Sequence, residues 1–187
     1  MKIVETELPG VLIIEPRVFR DERGFFLETF QAGRYAESGV DRIFVQDNLS
    51  YSCKGTLRGL HYQLKRPQAK LVQAITGSIF DVAVDIRRGS PTFGHWVGVE
   101  LSGENCRQFF IPEGFAHGFC VLSETAYFSY KCSDFYAPDD EGGILYSDPA
   151  IGVAWPVAEP LLSPKDKNLS RLADINPDRL PVYQGKS

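Results

Sequence analysis

The sequence has no closely spaced cysteines, no excess of basic residues and no long apolar stretch. Its four cysteines form no CxxC pair, which argues against a structural zinc site and a disulfide framework. The formal charge of −4 excludes the global basic field that would recruit nucleic acid or an anionic membrane. No segment approaches the roughly 20 apolar residues of a membrane span, and MKIVETELPG lacks the apolar run of a signal peptide. We therefore expect a cytoplasmic protein with reduced thiols and neither of these partners.

Histidine is scarce as well, and this limits metal chemistry. The three histidines are His61, His95 and His117, whereas a metal site in a β-barrel usually needs two close histidines and a carboxylate. The region around His61 offers no second histidine, so we expect no metal and no cofactor. Convergence of His61, His117 and Glu141 in space is the arrangement that would overturn this expectation.

The sequence does contain many short apolar segments separated by turns. Twelve prolines and seventeen glycines interrupt 187 residues, which favours an all-β sandwich or barrel. In SIFDVAVDI (78–86) the even-numbered residues from Phe80 to Ile86 are all apolar, while the odd-numbered residues include Asp81 and Asp85; GHWVGVEL and TAYFSYKC also alternate. QAGRYAESG is a helix candidate. Prolines break the segment from SDPAIGVAW onward, and we predict one domain, 1–187, whose C-terminal segment wraps the strands.

The stretch GTLRGLHYQ places Arg58 and His61 within one predicted strand. Strand alternation puts the two side chains on opposite faces unless a bulge at Gly59 re-aims one of them. His61 is then either a hydrogen-bonded structural histidine or a base beside a bound anion. The charges of Lys70, Asp81 and Asp85 add weight to the second interpretation, because they would tune a base, but the residues alone leave both interpretations open.

Three further stretches have both a structural and a functional interpretation. RDERGFFLETF is a charged turn before a strand, or an anion-binding arginine, Arg23, beside aromatic rings. VQDNLS is a turn, or a place where Gln46 and Asn48 recognise polar edges of a ligand. YFSYKCSDFY carries tyrosines of the core or rim, or a usable proton donor.

Together these stretches resemble the dTDP-4-dehydrorhamnose 3,5-epimerase family. The similar segments are EPRVFRDERGFFLETF, FVQDNLS, LRGLHYQ, KLVQAITGSIFDVAVDIR, FIPEGFAHGF, YKCSDFYAP and LSPKD, in family order from about residue 15 to residue 166. The resemblance implies a cupin-like β-barrel or jelly roll with a few short helices. It also implies a cofactor-independent isomerase that inverts C3 and C5 of dTDP-4-dehydro-6-deoxy-D-glucose to give dTDP-4-dehydro-L-rhamnose, in dTDP-L-rhamnose biosynthesis.

The resemblance also implies roles for individual residues. His61 would be the base, Tyr130 the acid, Asp166 the hydrogen-bond partner of His61, and Lys70 the group that stabilises the enolate oxygen. Arg23 and Arg58 would meet the diphosphate, and Tyr136 would stack on thymine. The full set of implied substrate-binding positions is Arg23, Phe26, Glu28, Gln46, Asp47, Asn48, Arg58, Lys70, His117, Tyr136, Glu141 and Lys165.

The resemblance further implies a homodimer whose N-terminal segment, with Arg23, Phe26 and Glu28, serves the partner's site. Three alternatives stay open from the sequence. They are a mono-epimerase of another dTDP-deoxysugar pathway, a non-catalytic cupin that binds sugar nucleotides, and a metal-dependent cupin. The first differs from the double epimerase in pocket shape, which the sequence does not reveal.

Overall fold

Residues 1–185, which the computed structural model describes, form a molecule built almost entirely of β-strands. The predicted domain extends to residue 187, and its last two residues lie outside the described ones. Two short α-helices, α1 (Ala32–Glu37) and α2 (Pro164–Lys167), and three 3-10 turns accompany the strands. The strands are β1 (Lys2–Glu5), β2 (Leu12–Glu15), β3 (Val18–Asp21), β4 (Gly24–Leu27), β5 (Gln46–Cys53), β6 (Leu57–Gln63), β7 (Lys70–Thr76), β8 (Ser78–Asp85), β9 (Trp96–Ser102), β10 (Gln108–Ile111), β11 (Phe115–Val121), β12 (Thr125–Cys132) and β13 (Glu141–Gly143).

Two antiparallel sheets pack face to face. The six-stranded sheet has the order β1-β2-β10-β7-β12-β5, and the five-stranded sheet has the order β13-β6-β11-β8-β9. Apolar side chains from both sheets, such as Val72 and Phe128 from one and Ile79 and Phe119 from the other, fill the space between them. The arrangement confirms the predicted all-β jelly roll with a few short helices. The strands β3 and β4 form a separate hairpin.

The strand β8 is largely buried on both faces, although its sequence alternates. Its odd-numbered residues Ile79 and Ala83 face the interior between the sheets. Its even-numbered residues Val82 and Val84 face outward under the C-terminal segment, which contributes Trp155 among other apolar side chains. Asp81 therefore lies on the interior face, beside core residues.

The C-terminal segment follows the outer face of the five-stranded sheet. Isolated parallel bridges join Leu161 to Thr56, Ser170 to Ile144 and Val182 to Arg88. The bridge at Thr56 holds the segment beside the start of β6, where the segment contributes to the site described below. Within residues 1–185 no helix is long and apolar enough to cross a membrane.

The helix predicted in QAGRYAESG is present as α1. The Gln31 side chain accepts a hydrogen bond from the backbone N–H of Arg34 at its N-terminus, and Gly39 follows with φ of +94°, a conformation that favours glycine. Tyr35 packs onto the outer face of the six-stranded sheet, and its hydroxyl donates to Gln108 Oε1 at 2.7 Å. The helix therefore covers one part of that sheet.

Candidate active site

Two adjoining cavities open at one end of the space between the sheets, and both are lined by His61, Lys70 and Tyr130. Their volumes are about 230 and 260 Å³. We name them the first and the second lobe. The first lobe is also lined by Gln46, Asn48, Tyr62, Gln63, Gln68, Cys132, Tyr136 and Glu141. The second lobe is also lined by Ser50, Arg58, His117, Phe119, Phe128, Ser163, Lys165 and Asp166.

Strand pairing brings the residues of the six-stranded sheet together. In β12, Tyr130 lies opposite Asn48 of β5, and Cys132 lies opposite Lys70 of β7. Alternate residues of each strand point inward, so Gln46, Asn48 and Tyr130 line the cavities. The intervening residue Asp47 is exposed, and its carboxylate pairs with Lys131 at 3.0 Å, so the structure does not place it in either lobe.

A bulge in β6 places Arg58 and His61 on the same face. His61 lies opposite His117 of β11, but Arg58 lies opposite Phe119, so three steps along β6 match two steps along β11. Gly59 makes the bulge with φ of +127°. A Cβ at this position would lie 2.6 Å from the Cα of Gly118, so the close approach also requires glycine. The sequence allowed either strict alternation or a bulge at Gly59, and the structure contains the bulge.

His61 is held by a carboxylate from the C-terminal segment. Its Nε2 lies 2.6 Å from Oδ1 of Asp166, which is buried. Ser163 caps the short helix α2 by accepting a hydrogen bond from the backbone N–H of Asp166, which aims that residue toward β6. Burial alone would raise the pKa of Asp166, but the hydrogen bond with His61 and the other local bonds outweigh it and lower the pKa. Asp166 is therefore ionised at neutral pH, and its carboxylate accepts a hydrogen bond from the Nε2–H of His61.

A second histidine–aspartate pair lies deeper in the barrel. His117 Nε2 is 2.9 Å from Oδ1 of Asp81 on the neighbouring strand β8, and both residues are buried. Burial lowers the pKa of His117, and the charge of Asp81 opposes this change only partly. The imidazole of His117 is therefore neutral at neutral pH.

Lys70 and Tyr130 have pKa values shifted in opposite directions by the same cause. Desolvation lowers the pKa of the Lys70 ammonium, and the nearby Cys132, Asp81 and Glu141 oppose it only partly. Desolvation raises the pKa of the Tyr130 hydroxyl. Tyr130 is consequently a protonated donor at neutral pH.

Glu141 joins the two elements that border the first lobe. Its Oε2 accepts a hydrogen bond from the Tyr136 hydroxyl at 2.8 Å and pairs with Lys165. Its Oε1 lies 3.8 Å from Nδ1 of His61. Burial would raise the pKa of Glu141, but the bonds from Lys165 and Tyr136 outweigh it and lower the pKa. His61 thus has a carboxylate beside each ring nitrogen.

Arg58 extends the site toward β5. Its Nε and Nη2 each donate to the Ser52 hydroxyl at 3.2 Å, and the side chain has no ion-pair partner among residues 1–185. A guanidinium oriented by a neutral hydroxyl retains its charge for an anionic ligand.

The hairpin residues lie outside both lobes. Arg23 pairs with Asp21 across its own turn, and Glu28 pairs with Arg34 of α1. Phe26 is 70% exposed. The structure therefore does not bring these three predicted binding residues to the other site residues of the same chain.

The sequence interpretation assigned no partner to His117 and no role to Ser52 and Ser163. Asp81 was noted only as a charge near His61, yet it bonds His117. Its place among the apolar residues of a strand was a usable signal, because a buried carboxylate requires a partner. Asp85, noted for the same reason, instead bonds the turn residue Arg87.

The histidines do approach one another, since His61 and His117 are cross-strand neighbours. Each has a nitrogen on a different carboxylate, however, and residues 1–185 contain no group of three or more His, Cys, Asp or Glu side chains arranged to hold a metal ion.

Comparisons with known proteins identify the family of the chain. The family model described as dTDP-4-dehydrorhamnose 3,5-epimerase matches residues 5–174. A dTDP-4-dehydrorhamnose 3,5-epimerase from Shigella flexneri is 58% identical over 178 residues, which cover 94% of this chain and 98% of the relative. A dTDP-4-dehydrorhamnose 3-epimerase from Streptomyces niveus is 39% identical over 186 residues, which cover 98% of this chain and 90% of the relative.

A solved structure extends the similarity to the whole fold. The crystal structure of a dTDP-6-deoxy-D-glucose-3,5-epimerase from Legionella pneumophila, in complex with dTDP-4-keto-L-rhamnose, has a TM-score of 0.96 and 56% identity. The match covers 98% of this chain and 99% of that one. On the family match and these identities, the chain belongs to the dTDP-4-dehydrorhamnose 3,5-epimerase family.

Proposed function

We propose that this chain catalyses the epimerisation of dTDP-4-dehydro-6-deoxy-D-glucose at C3 and C5, giving dTDP-4-dehydro-L-rhamnose for dTDP-L-rhamnose biosynthesis. One observation carries the proposal. His61 extends from the five-stranded sheet and Tyr130 from the six-stranded sheet, and both line the same two lobes. Inversion at a carbon needs a base on one side and an acid on the other, and opposite walls of one cavity supply this geometry.

His61 acts as the base through Nδ1 in this proposal. Its Nε2 is occupied by Asp166 at 2.6 Å, which leaves Nδ1 to remove the proton from the carbon beside the ketone. Asp166 stabilises the imidazolium that forms and fixes the ring orientation. General base catalysis of this kind typically contributes about 10²–10⁴-fold.

Lys70 stabilises the enolate oxygen that develops at C4. It lines both lobes together with the base and the acid. A cation in a partly desolvated site interacts more strongly with developing negative charge than it would in water. His117, held by Asp81, lines the second lobe and presents its other ring nitrogen to the sugar.

Tyr130 returns a proton to the opposite face of the carbon. The raised pKa keeps its hydroxyl protonated until the enolate forms. After each inversion His61 carries one extra proton and Tyr130 lacks one, so exchange with solvent restores both groups before the second carbon reacts. The two inversions therefore use one base and one acid in turn.

The remaining residues bind the nucleotide in this proposal. Arg58 meets the diphosphate, Tyr136 stacks on thymine, and Gln46 and Asn48 contact the nucleoside from β5. Glu141 and Lys165, which pair with each other, contact the ligand at the border between the lobes. Asp47 faces away from the lobes, so its contribution is to hold Lys131 and the end of β12.

We also propose a homodimer in which the β3–β4 hairpin completes the partner's site. Neither lobe of the same chain is lined by Arg23, Phe26 or Glu28. The hairpin also exposes apolar rings to solvent. The outer face of the six-stranded sheet, where α1 does not cover it, exposes Leu49 and Tyr51. Exposed apolar surface of this kind supports a protein interface.

A single inversion is the second candidate, because the Streptomyces niveus relative, 39% identical over 98% of this chain, is named a 3-epimerase. Both candidates use the same base and acid. They differ in how many carbons reach His61 Nδ1.

Proton exchange in heavy water, followed by NMR, separates the candidates. The purified protein is incubated with dTDP-4-dehydro-6-deoxy-D-glucose. Deuterium at both C3 and C5, with formation of the L-configured product, is the expected result. Deuterium at one carbon would identify a mono-epimerase, and no exchange at either carbon would contradict enzymatic function and leave a sugar-nucleotide-binding protein.

A further inference from the structure

The inward-facing side chains of β5 differ in their hydrogen bonding. Gln46 donates to Asn48, Asn48 donates to the Cys132 thiol, and Ser52 accepts from Arg58. Ser50 lies between Asn48 and Ser52 on the same face, yet its hydroxyl has no hydrogen-bond partner among residues 1–185 and is out of reach of solvent. Ser50 is therefore the exception on a face whose other polar groups are all bonded.

An unbonded buried hydroxyl costs free energy of folding, because the group loses its hydrogen bonds to water and gains none. The pairing of β5 with β12 does not use this hydroxyl. Ser50 lies opposite Phe128 in the β5–β12 ladder, and that pairing uses only the backbone. Alanine would fill the same position without the cost, so the benefit of the hydroxyl lies outside the folding of the chain.

The position of Ser50 indicates what the hydroxyl serves. Ser50 lines the second lobe, together with His61, Lys70 and Tyr130. These three are the groups that surround the reacting sugar in the proposed mechanism. A serine side chain has three staggered χ1 rotamers, so one rotation re-aims its hydroxyl once a ligand offers an oxygen atom.

We propose that Ser50 is a substrate-binding residue whose hydroxyl hydrogen-bonds the hexose part of the sugar nucleotide. The neighbouring Ser52 instead orients Arg58 toward the diphosphate, so adjacent inward positions of β5 contact successive parts of one ligand. This inference rests on the proposed function, since it takes the hexose of that substrate as its ligand.

The test measures the affinity of Ser50→Ala for two ligands by calorimetry. dTDP-glucose carries a hexose and is not a substrate for epimerisation, whereas dTDP lacks the hexose. Loss of one neutral hydrogen bond should weaken dTDP-glucose binding about fivefold and leave dTDP binding unchanged. The melting temperature should stay the same or rise, because an unbonded hydroxyl has been removed.

The control variant is Ser147→Ala, at an exposed serine away from both lobes, and it should match the wild type in both affinities. Equal affinity of Ser50→Ala and wild type for dTDP-glucose would overturn the inference. An equal loss for dTDP would place the contact on the diphosphate and overturn the hexose assignment, and a lowered melting temperature would reveal a structural hydroxyl. Because binding is measured without turnover, an inactive wild-type enzyme would refute the proposed function and leave this test intact.

Discussion

The molecule contains two histidine–aspartate pairs that differ in construction. His61 and Asp166 come from a strand and from the C-terminal segment, and the His61 side chain is 26% exposed. His117 and Asp81 come from adjacent strands of one sheet, and the His117 side chain is 8% exposed. The first pair is open to the cavity, whereas burial holds the second imidazole in its neutral form.

This difference shows how one fold gives the same two side chains separate tasks. A base needs access to the substrate and a partner that stabilises its charged form. A binding histidine needs a fixed position and a constant protonation state, which a rigid ladder and a dry environment provide. The proposed roles of the two histidines follow from these environments.

Replacement of His61 should have the largest effect. The variant His61→Ala lacks the proposed base, so we expect kcat to fall by roughly 10³-fold or more with little change in melting temperature. Steady-state kinetics and thermal unfolding measure the two quantities. Near-normal turnover in this variant would remove His61 from the role of base.

The variant Asp166→Asn should follow, with a decrease in kcat of about 10²-fold, because the amide cannot stabilise an imidazolium. Its effect on stability should depend on pH. The pKa of Asp166 is lowered in the folded chain, so the stabilisation is present above the ordinary value near 3.8 and is lost as the pH falls through the lower folded value. Melting curves that stay equally separated from wild type at all acidic pH values would contradict a stabilising hydrogen bond between ionised Asp166 and His61.

The variant Asp81→Asn should affect binding more than chemistry. The amide at position 81 can still accept a hydrogen bond from His117, but it carries no negative charge. His117 is then held less firmly, so we expect KM to rise about tenfold while kcat changes little. A decrease in kcat as large as that of Asp166→Asn would show that the two pairs are equivalent. Comparison of the two variants under the same conditions is therefore the sharpest test of the distinction.

The alkaline limb of the pH profile should belong to Lys70, which lies beside both pairs. Its pKa is lowered below the ordinary 10.5, so its charge and the rate should decline below that pH, whereas the raised pKa of Tyr130 excludes it as the cause. In Lys70→Arg the guanidinium stays charged, and the limb of kcat/KM should move to higher pH even if the rate is lower. An unmoved limb would assign it to another group.

Chelation should have the smallest effect, namely none. Each histidine of the two pairs has a nitrogen on a carboxylate, and incubation with EDTA followed by an activity assay tests whether either pair instead serves a metal. Loss of activity that a divalent ion restores would contradict the metal-free interpretation of both histidine–aspartate pairs.

Much of the fold was predictable because it follows local patterns. The alternation of Ser78–Asp85 and Thr125–Cys132 reflects the pleat of a strand, and the glycine after α1 marks its end. The resemblance supplied the site residues that lie in the lobes. Asp47 faces away although its neighbours Gln46 and Asn48 face inward, and strand alternation alone would have predicted this.

Other features depend on tertiary structure and could not be read from the chain. The side-chain direction of Arg58 relative to His61 depends on a bulge, and the bulge depends on Gly118 of another strand. Both faces of β8 are buried, so its pattern could not reveal that Asp81 faces inward. The proposed role of the hairpin residues involves a second subunit, so it depends on contacts that lie outside a single chain.

The connection between His61 and Asp166 has a consequence for the order of folding. The two residues are 105 positions apart in the sequence, and Asp166 belongs to a segment that docks on a sheet already formed by earlier strands. Closing a loop of this length costs conformational entropy before the contact is made. Asp166 follows all thirteen strands of residues 1–185 in the sequence, so we expect a chain that ends before it to lack the carboxylate partner of His61 and to have low activity.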